Sequence, residues 1–107
     1  MTRLQKYKSA SRKIDRMTDE ELAVCYFDTG DGWAWGELCR RRHTNLFTSA
    51  VKHLAPHGME HGAAYVTYRA MEEFRRSVKL TATVDHALQT WVWRLSQQYL
   101  QQREARP

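Results

Sequence analysis

Apolar residues recur along most of the chain at the three- and four-residue steps of a helical face. No stretch shows the period-two alternation of a half-buried strand. Thr18-Asp19-Glu20-Glu21 reads as a capping box, with Thr18 accepting from the backbone three residues on and Glu21 reaching back. Leu22, Cys25 and Tyr26 then share one face of a short first helix that Gly30 ends. Asp31 caps a second helix whose stripe is Trp35, Leu38, Cys39, Arg42, Leu46, Ala50 and Leu54. Pro56 and Gly58 break the chain. A third helix is predicted from about Met59 to about Val78, striped by Ala63, Val66, Ala70, Met71, Phe74 and Val78. Lys79 to Thr83 form a short loop. A fourth helix follows, striped by Val84, Leu88, Trp91, Leu95 and Tyr99, with Glu104 near its end. Four helices with short connections predict an all-α compact bundle over residues 18–104, with a core centred on Trp35, Leu38, Val66, Phe74, Trp91 and Leu95.

Length and composition fit that picture. A chain of 107 residues, 42% of them apolar, builds one modest core. Residues 1–17 stand apart as a basic, frayed or partly helical arm carrying Arg3, Lys6, Lys8, Arg12, Lys13 and Arg16. As an electrostatic tether to nucleic acid or as a solvated tail, the arm reads equally well. The net charge of +5 and a pI near 9.5 favour phosphate backbones or acidic surfaces as partners. No apolar run reaches the roughly 20 residues of a membrane span, and the basic N-terminus lacks an apolar core of its own, so a cytoplasmic protein is expected. Cys25 and Cys39 form no C-x-x-C and sit in apolar contexts; buried free thiols are expected, with a disulfide the lesser alternative.

Catalytic chemistry is hard to find. The chain has no glycine-rich phosphate loop, nucleophile elbow or H-E-x-x-H. His53, His57 and His61 recur every four residues, but Pro56 and Gly58 interrupt any helix that would align them, so neither a metal nor another cofactor is expected. Asp19, Glu20 and Glu21 mark a helix start rather than an acid/base pair. The expectation is a binding protein, not an enzyme. Within the last helix, Trp91 and Trp93 lie two residues apart and cannot share a face. With Trp91 in the core, Trp93 points away, beside Arg94, Gln97 and Gln98. It either offers bases a stacking surface with amides for their edges, or packs against a neighbouring helix or the arm.

Taken in order, these segments resemble region 2 of bacterial sigma factors, nearest the extracytoplasmic-function group. Met17-Thr18-Asp19-Glu20-Glu21-Leu22, Gly30-Asp31 and Trp35-Gly36-Glu37-Leu38 echo the family's "DEEL … GD … AFEELYRRY", with Cys39-Arg40-Arg41-Arg42-His43 in place of its tyrosine-arginine run. Val66-Thr67-Tyr68-Arg69-Ala70-Met71 is similar to "VFLRAW", and Leu88-Gln89-Thr90-Trp91-Val92-Trp93-Arg94-Leu95 to "FRAWLYRI". The resemblance spans about residues 17 to 103. The family's "DLVQE", which serves polymerase binding, falls on His61-Gly62-Ala63-Ala64-Tyr65, without its Asp, Gln and Glu.

The resemblance implies a transcription factor that binds bacterial RNA polymerase, through the coiled coil of its largest subunit, and opens the −10 promoter element while reading a flipped base. Carried onto this chain, polymerase contact belongs to Glu60, Tyr65, Arg69, Glu72 and Glu73. DNA contact belongs to Arg76, Lys79, Thr81, Thr83, Trp93, Arg94, Gln97 and Gln98. The helix-turn-helix domain that reads the −35 element is not part of the match, and a second polypeptide is a candidate to supply it. The alternative is a sigma mimic, a protein-interaction module that binds an anti-sigma factor or inhibits polymerase without reading DNA. A basic helical domain with a chance likeness is the third reading.

Overall fold

Short polar residues and glycines set the helix ends. A computed structural model describes residues 13–77 and 79–104; residues 1–12 of the arm, and Val78 of the predicted third stripe, lie outside the described residues. Helix α1 runs Asp19–Thr29. Thr18 Oγ1 accepts from the Glu21 N–H and Glu21 Oε1 accepts from the Thr18 N–H, both at 3.1 Å, forming the predicted box. Gly30 stops the helix at φ 72°, where a side chain is strained, and its N–H donates to the Tyr26 carbonyl at 2.7 Å. Asp31 Oδ1 accepts from the Trp33 N–H at 2.9 Å and starts α2, Gly32–Leu54.

The third helix is shorter than its periodicity predicts. Pro56 and Gly58 divert the chain through two 3₁₀ turns, Ala55–His57 and Glu60–Gly62, before α3 begins at Ala63 and ends at Arg75. After the loop, α4 runs Val84–Glu104. Thr83 Oγ1 caps it by accepting from the His86 N–H at 3.1 Å. Glu20 Oε2 accepts from the Val84 N–H at 3.0 Å and fastens its first turn to α1. No strand occurs among the described residues, and the fold is an all-α bundle. Helix α3 packs against both α2 and α4, while α2 also packs on α1 and α4.

The core holds Leu22, Leu38, Leu46, Leu54, Val66, Phe74, Val84, Leu88 and Val92, all at 2% exposure or less. Four of the six residues expected at its centre, Leu38, Val66, Phe74 and Leu95, are buried. Trp35 and Trp91 are not: both are half-buried and pack from the rim. The stripe of α4 runs through Val92 instead of Trp91, because close helix–helix packing admits the smaller side chain and excludes an indole. Both rim indoles carry arginines, with Arg94 5.3 Å over the Trp91 ring and Arg75 6.0 Å over Trp35. The thiols are likewise half-buried and free. Burial pushes the Cys39 thiol up, with Glu72 adding to the effect.

Ordered structure begins before the capping box. Residues 13–16 form a helical turn with Ile14 in the core. Arg41 on α2 holds that turn. Its guanidinium donates to the carbonyls of Ile14 (3.2 Å), Asp15 (3.1 Å) and Met17 (2.6 Å), and pairs with Asp19 at 3.3 Å and Glu37 at 3.0 Å.

Burial separates the two aromatic classes energetically. Phe74→Ala is expected to destabilise by about 3–5 kcal/mol, and Trp91→Ala, at the rim, by roughly half that. Chemical denaturation of both variants measures the difference, and equal losses would return Trp91 to the core.

Candidate nucleic-acid interface

Between the end of α3 and the start of α4 the chain crosses the face of the bundle and leaves a cleft of about 270 Å³. Lys79, Leu80, Thr81 and Ala82 form its loop wall; His86, Ala87, Thr90 and Trp91 form its helical wall, and Phe74 reaches it from α3. The loop wall is placed by the two caps on α4, Thr83 and Glu20, which fix where the chain turns into the helix. Lys79 and Thr81 are exposed there. The cleft thus joins a flat aromatic, a cation and hydroxyls, groups that stack on bases and bind phosphates.

The predicted DNA-binding residues divide into two stripes rather than one patch. Residues two apart on a helix differ by about 200° in direction, and residues three or four apart are neighbours. Arg94 and Gln98, both exposed, therefore continue the Trp91 side of α4, and Arg94 covers that indole. Trp93, 53% exposed, lies on the other side with half-buried Gln97. Nearby, Gln89 donates to Asn45 Oδ1 of α2 at 2.8 Å. Thr83 is engaged as the helix cap. Arg76, exposed at the C-cap of α3, lies 3.4 Å from Glu73. His86, Thr90 and Trp91 line the cleft but were not among the predicted residues; for Trp91 the available signal is its spacing from Arg94, which puts a guanidinium over the indole.

The run Arg40–Arg42 adds little free charge. Arg40 and Arg41 both pair with Glu37. Arg42 pairs with Asp85 of α4 and lies 3.8 Å from Asp19 of α1. The Arg40 hydrogen bond, then that of Arg41, holds the Glu37 carboxyl at about 2 against the opposing effect of burial. Of the exposed cations nearby, Lys79 lines the cleft and Arg94 lies over its Trp91 ring, while Arg75 and Arg76 pair with Glu72 and Glu73.

The predicted polymerase-binding residues gather on the outer face of α3, except Glu60, which sits in the 3₁₀ turn before it. Tyr65 is 49% exposed, and its hydroxyl accepts from Arg69 Nη1 at 3.0 Å. Arg69 pairs with Glu73 at 3.2 Å and Glu72 with Arg75 at 3.6 Å, so the face is charge-balanced. At its centre lies Tyr68, 63% exposed, which sequence reasoning left out. Its position between Tyr65 and Glu72 at three- and four-residue steps was the available signal. His53, His57 and His61 fall on three different elements, and no group of three ligands is placed for a metal among the described residues.

Compared with protein-family models, curated proteins and solved structures, the chain matches none.

The Glu37 pairing has a pH consequence. Its carboxyl lies lower in the folded chain than the ordinary 4.5, so the stability it contributes is present above that value and is lost as pH falls toward 2. Thermal melts across this window are expected to fall steeply for the parent. The Glu37→Gln variant, less stable at neutral pH, should decline less; parallel curves would contradict the pairing.

Proposed function

We propose that this chain is a sigma-region-2-like transcription factor that binds bacterial RNA polymerase and engages the opened −10 promoter element. The observation that carries the reading is the cleft facing the Lys79–Ala82 loop, in which Trp91, Thr90 and His86 stand opposite Lys79 and Thr81. A base leaving a duplex needs a bounded pocket with an aromatic surface and polar edges, and its strand needs cations beside it. In this reading Trp91 receives the base, Arg94 and Gln98 follow the strand along the same stripe, and Arg76 and Lys79 meet phosphates. The outer face of α3, with Tyr65 and Tyr68 ringed by Arg69, Glu72 and Glu73, is the polymerase-facing surface. An aromatic centre with a charged rim is the usual anatomy of a protein interface. No helix of the described residues is long and apolar enough to cross a membrane, which fits action on DNA.

The sigma-mimic reading draws on one observation, the internal neutralisation of Arg40, Arg41 and Arg42, which leaves fewer cations for phosphates than the sequence charge implies. In that account α3 still meets polymerase or an anti-sigma factor, and the cleft reads no DNA.

Titration of labelled bubble and duplex DNA, with and without polymerase core, separates the two. The proposal expects a bubble preference that Trp91→Ala weakens about tenfold, as loss of one stacked base implies, with Trp93→Ala weakening it less. Arg76→Ala should weaken all sequences and flatten the salt dependence. Equal binding to bubble and duplex in both conditions would leave the mimic reading. For the α3 face, Tyr68→Ala and the double reversal Glu72→Lys/Glu73→Lys are each expected to reduce co-purification with polymerase. Tyr68→Ala should leave the melting temperature unchanged; undiminished co-purification of both would move the interface elsewhere.

A further inference from the structure

At the opposite end of the α3–α4 pair lies a second and larger cleft, about 430 Å³, which shares only Tyr65 with the surfaces described above. His61 and Gly62 of the second 3₁₀ turn and Tyr65 of α3 line one side, and Tyr99, Gln102 and Arg103 of the last turns of α4 the other. We propose that this cleft binds a carboxylate.

Tyr99 is 7% exposed overall, and it lines the cleft with a hydroxyl that takes no hydrogen bond among the described residues. The ring is held firmly: a Cβ on Gly62 would fall 2.5 Å from Tyr99 Cζ, so only glycine lets the ring lie against the backbone there. The hydroxyl is therefore presented at a fixed place, as a donor awaiting an acceptor.

The other polar groups are donors too. Arg103 lies 5.1 Å over the Tyr99 ring and forms no ion pair among the described residues. The Tyr65 hydroxyl accepts from Arg69, which leaves its own proton to donate outward. Gln102 adds an amide, and among the described residues no carboxylate lines the cleft. Convergent donors around one guanidinium select an oxyanion.

The rings make a poor slot for a nucleobase. Tyr99 is covered by Gly62 and Arg103, Tyr65 lies under Arg69, and His61 meets Tyr99 edge-on at 6.3 Å and 71°. Of the cations, Arg69 is already paired with Glu73. The single charge left on Arg103 matches a carboxylate better than a phosphate dianion. Such a group can come from an acidic segment of a protein partner or from a small free acid. The proposal is independent of the polymerase reading, since it concerns the chain alone.

The test is a ¹H–¹⁵N NMR titration of the full chain with three probes: a blocked hexaglutamate peptide, citrate and inorganic phosphate. The Gly62 amide and the Arg103 Nε–H are expected to shift saturably with a carboxylate probe. A tighter peptide identifies a partner segment as the source, and tighter citrate a small acid. Tyr99→Phe, which keeps the ring on Gly62, and Arg103→Gln should each weaken binding about fivefold or more. Phosphate binding tighter than both carboxylates, shifts absent from both reporters, or unchanged affinity in the two variants would overturn the proposal.

Discussion

Two adjacent guanidinium groups on α2 hold three other parts of the molecule together. Arg41 closes the carbonyls of the turn at residues 13–16 and meets Asp19; Arg42 reaches Asp85 at the start of α4. Both side chains are mostly withdrawn from solvent, where charges are tolerated only when paired. Losing Arg41 would take that donor from the carbonyls of Ile14, Asp15 and Met17, and losing Arg42 would unlink Asp85 of α4 from α2. The position of α4 relative to α1 thus rests on polar contacts from α2 together with the Glu20 cap on Val84.

That constraint shapes the surface. With Arg41 and Arg42 turned to internal partners and Arg40 paired with Glu37 at the surface, Lys79 lines the loop cleft and Arg94 lies over its Trp91 ring. Because Asp85 and Glu20 fix the first turn of α4, they also fix which of its residues face the loop. Trp91 turns toward Lys79 and Thr81, and Trp93 turns away. The far end of the same helix pair has a different character, with donors gathered around the Tyr99 hydroxyl. One helix pair therefore carries two clefts of different lining, the one proposed to take a base and the other a carboxylate.

Local features were the legible ones. The Thr18–Glu21 box, the Asp31 cap and the Gly30 stop each depend on residues within four positions of one another, and all formed as read. The third helix began late because its apolar periodicity continues through a segment that Pro56 and Gly58 divert into 3₁₀ turns. Trp91 was assigned to the core because hydrophobicity locates a stripe without saying how closely the opposing helix approaches. The ion pairs of Arg41 and Arg42 join residues 22 and 43 positions apart, beyond the reach of any local pattern. The residues expected to bind DNA were read as one patch, whereas residues two apart on α4 point to different sides and make two stripes.

Central to the proposed function is whether the loop cleft receives a base from an opened strand. The direct measurement places the fluorescent base analogue 2-aminopurine at successive positions of the non-template strand in a −10 bubble, with polymerase core present, and adds the chain. Capture in the cleft predicts a fluorescence change confined to one position, removed by Trp91→Ala and retained in Trp93→Ala. No change at any position, or the same change at all of them in parent and Trp91→Ala alike, would contradict it.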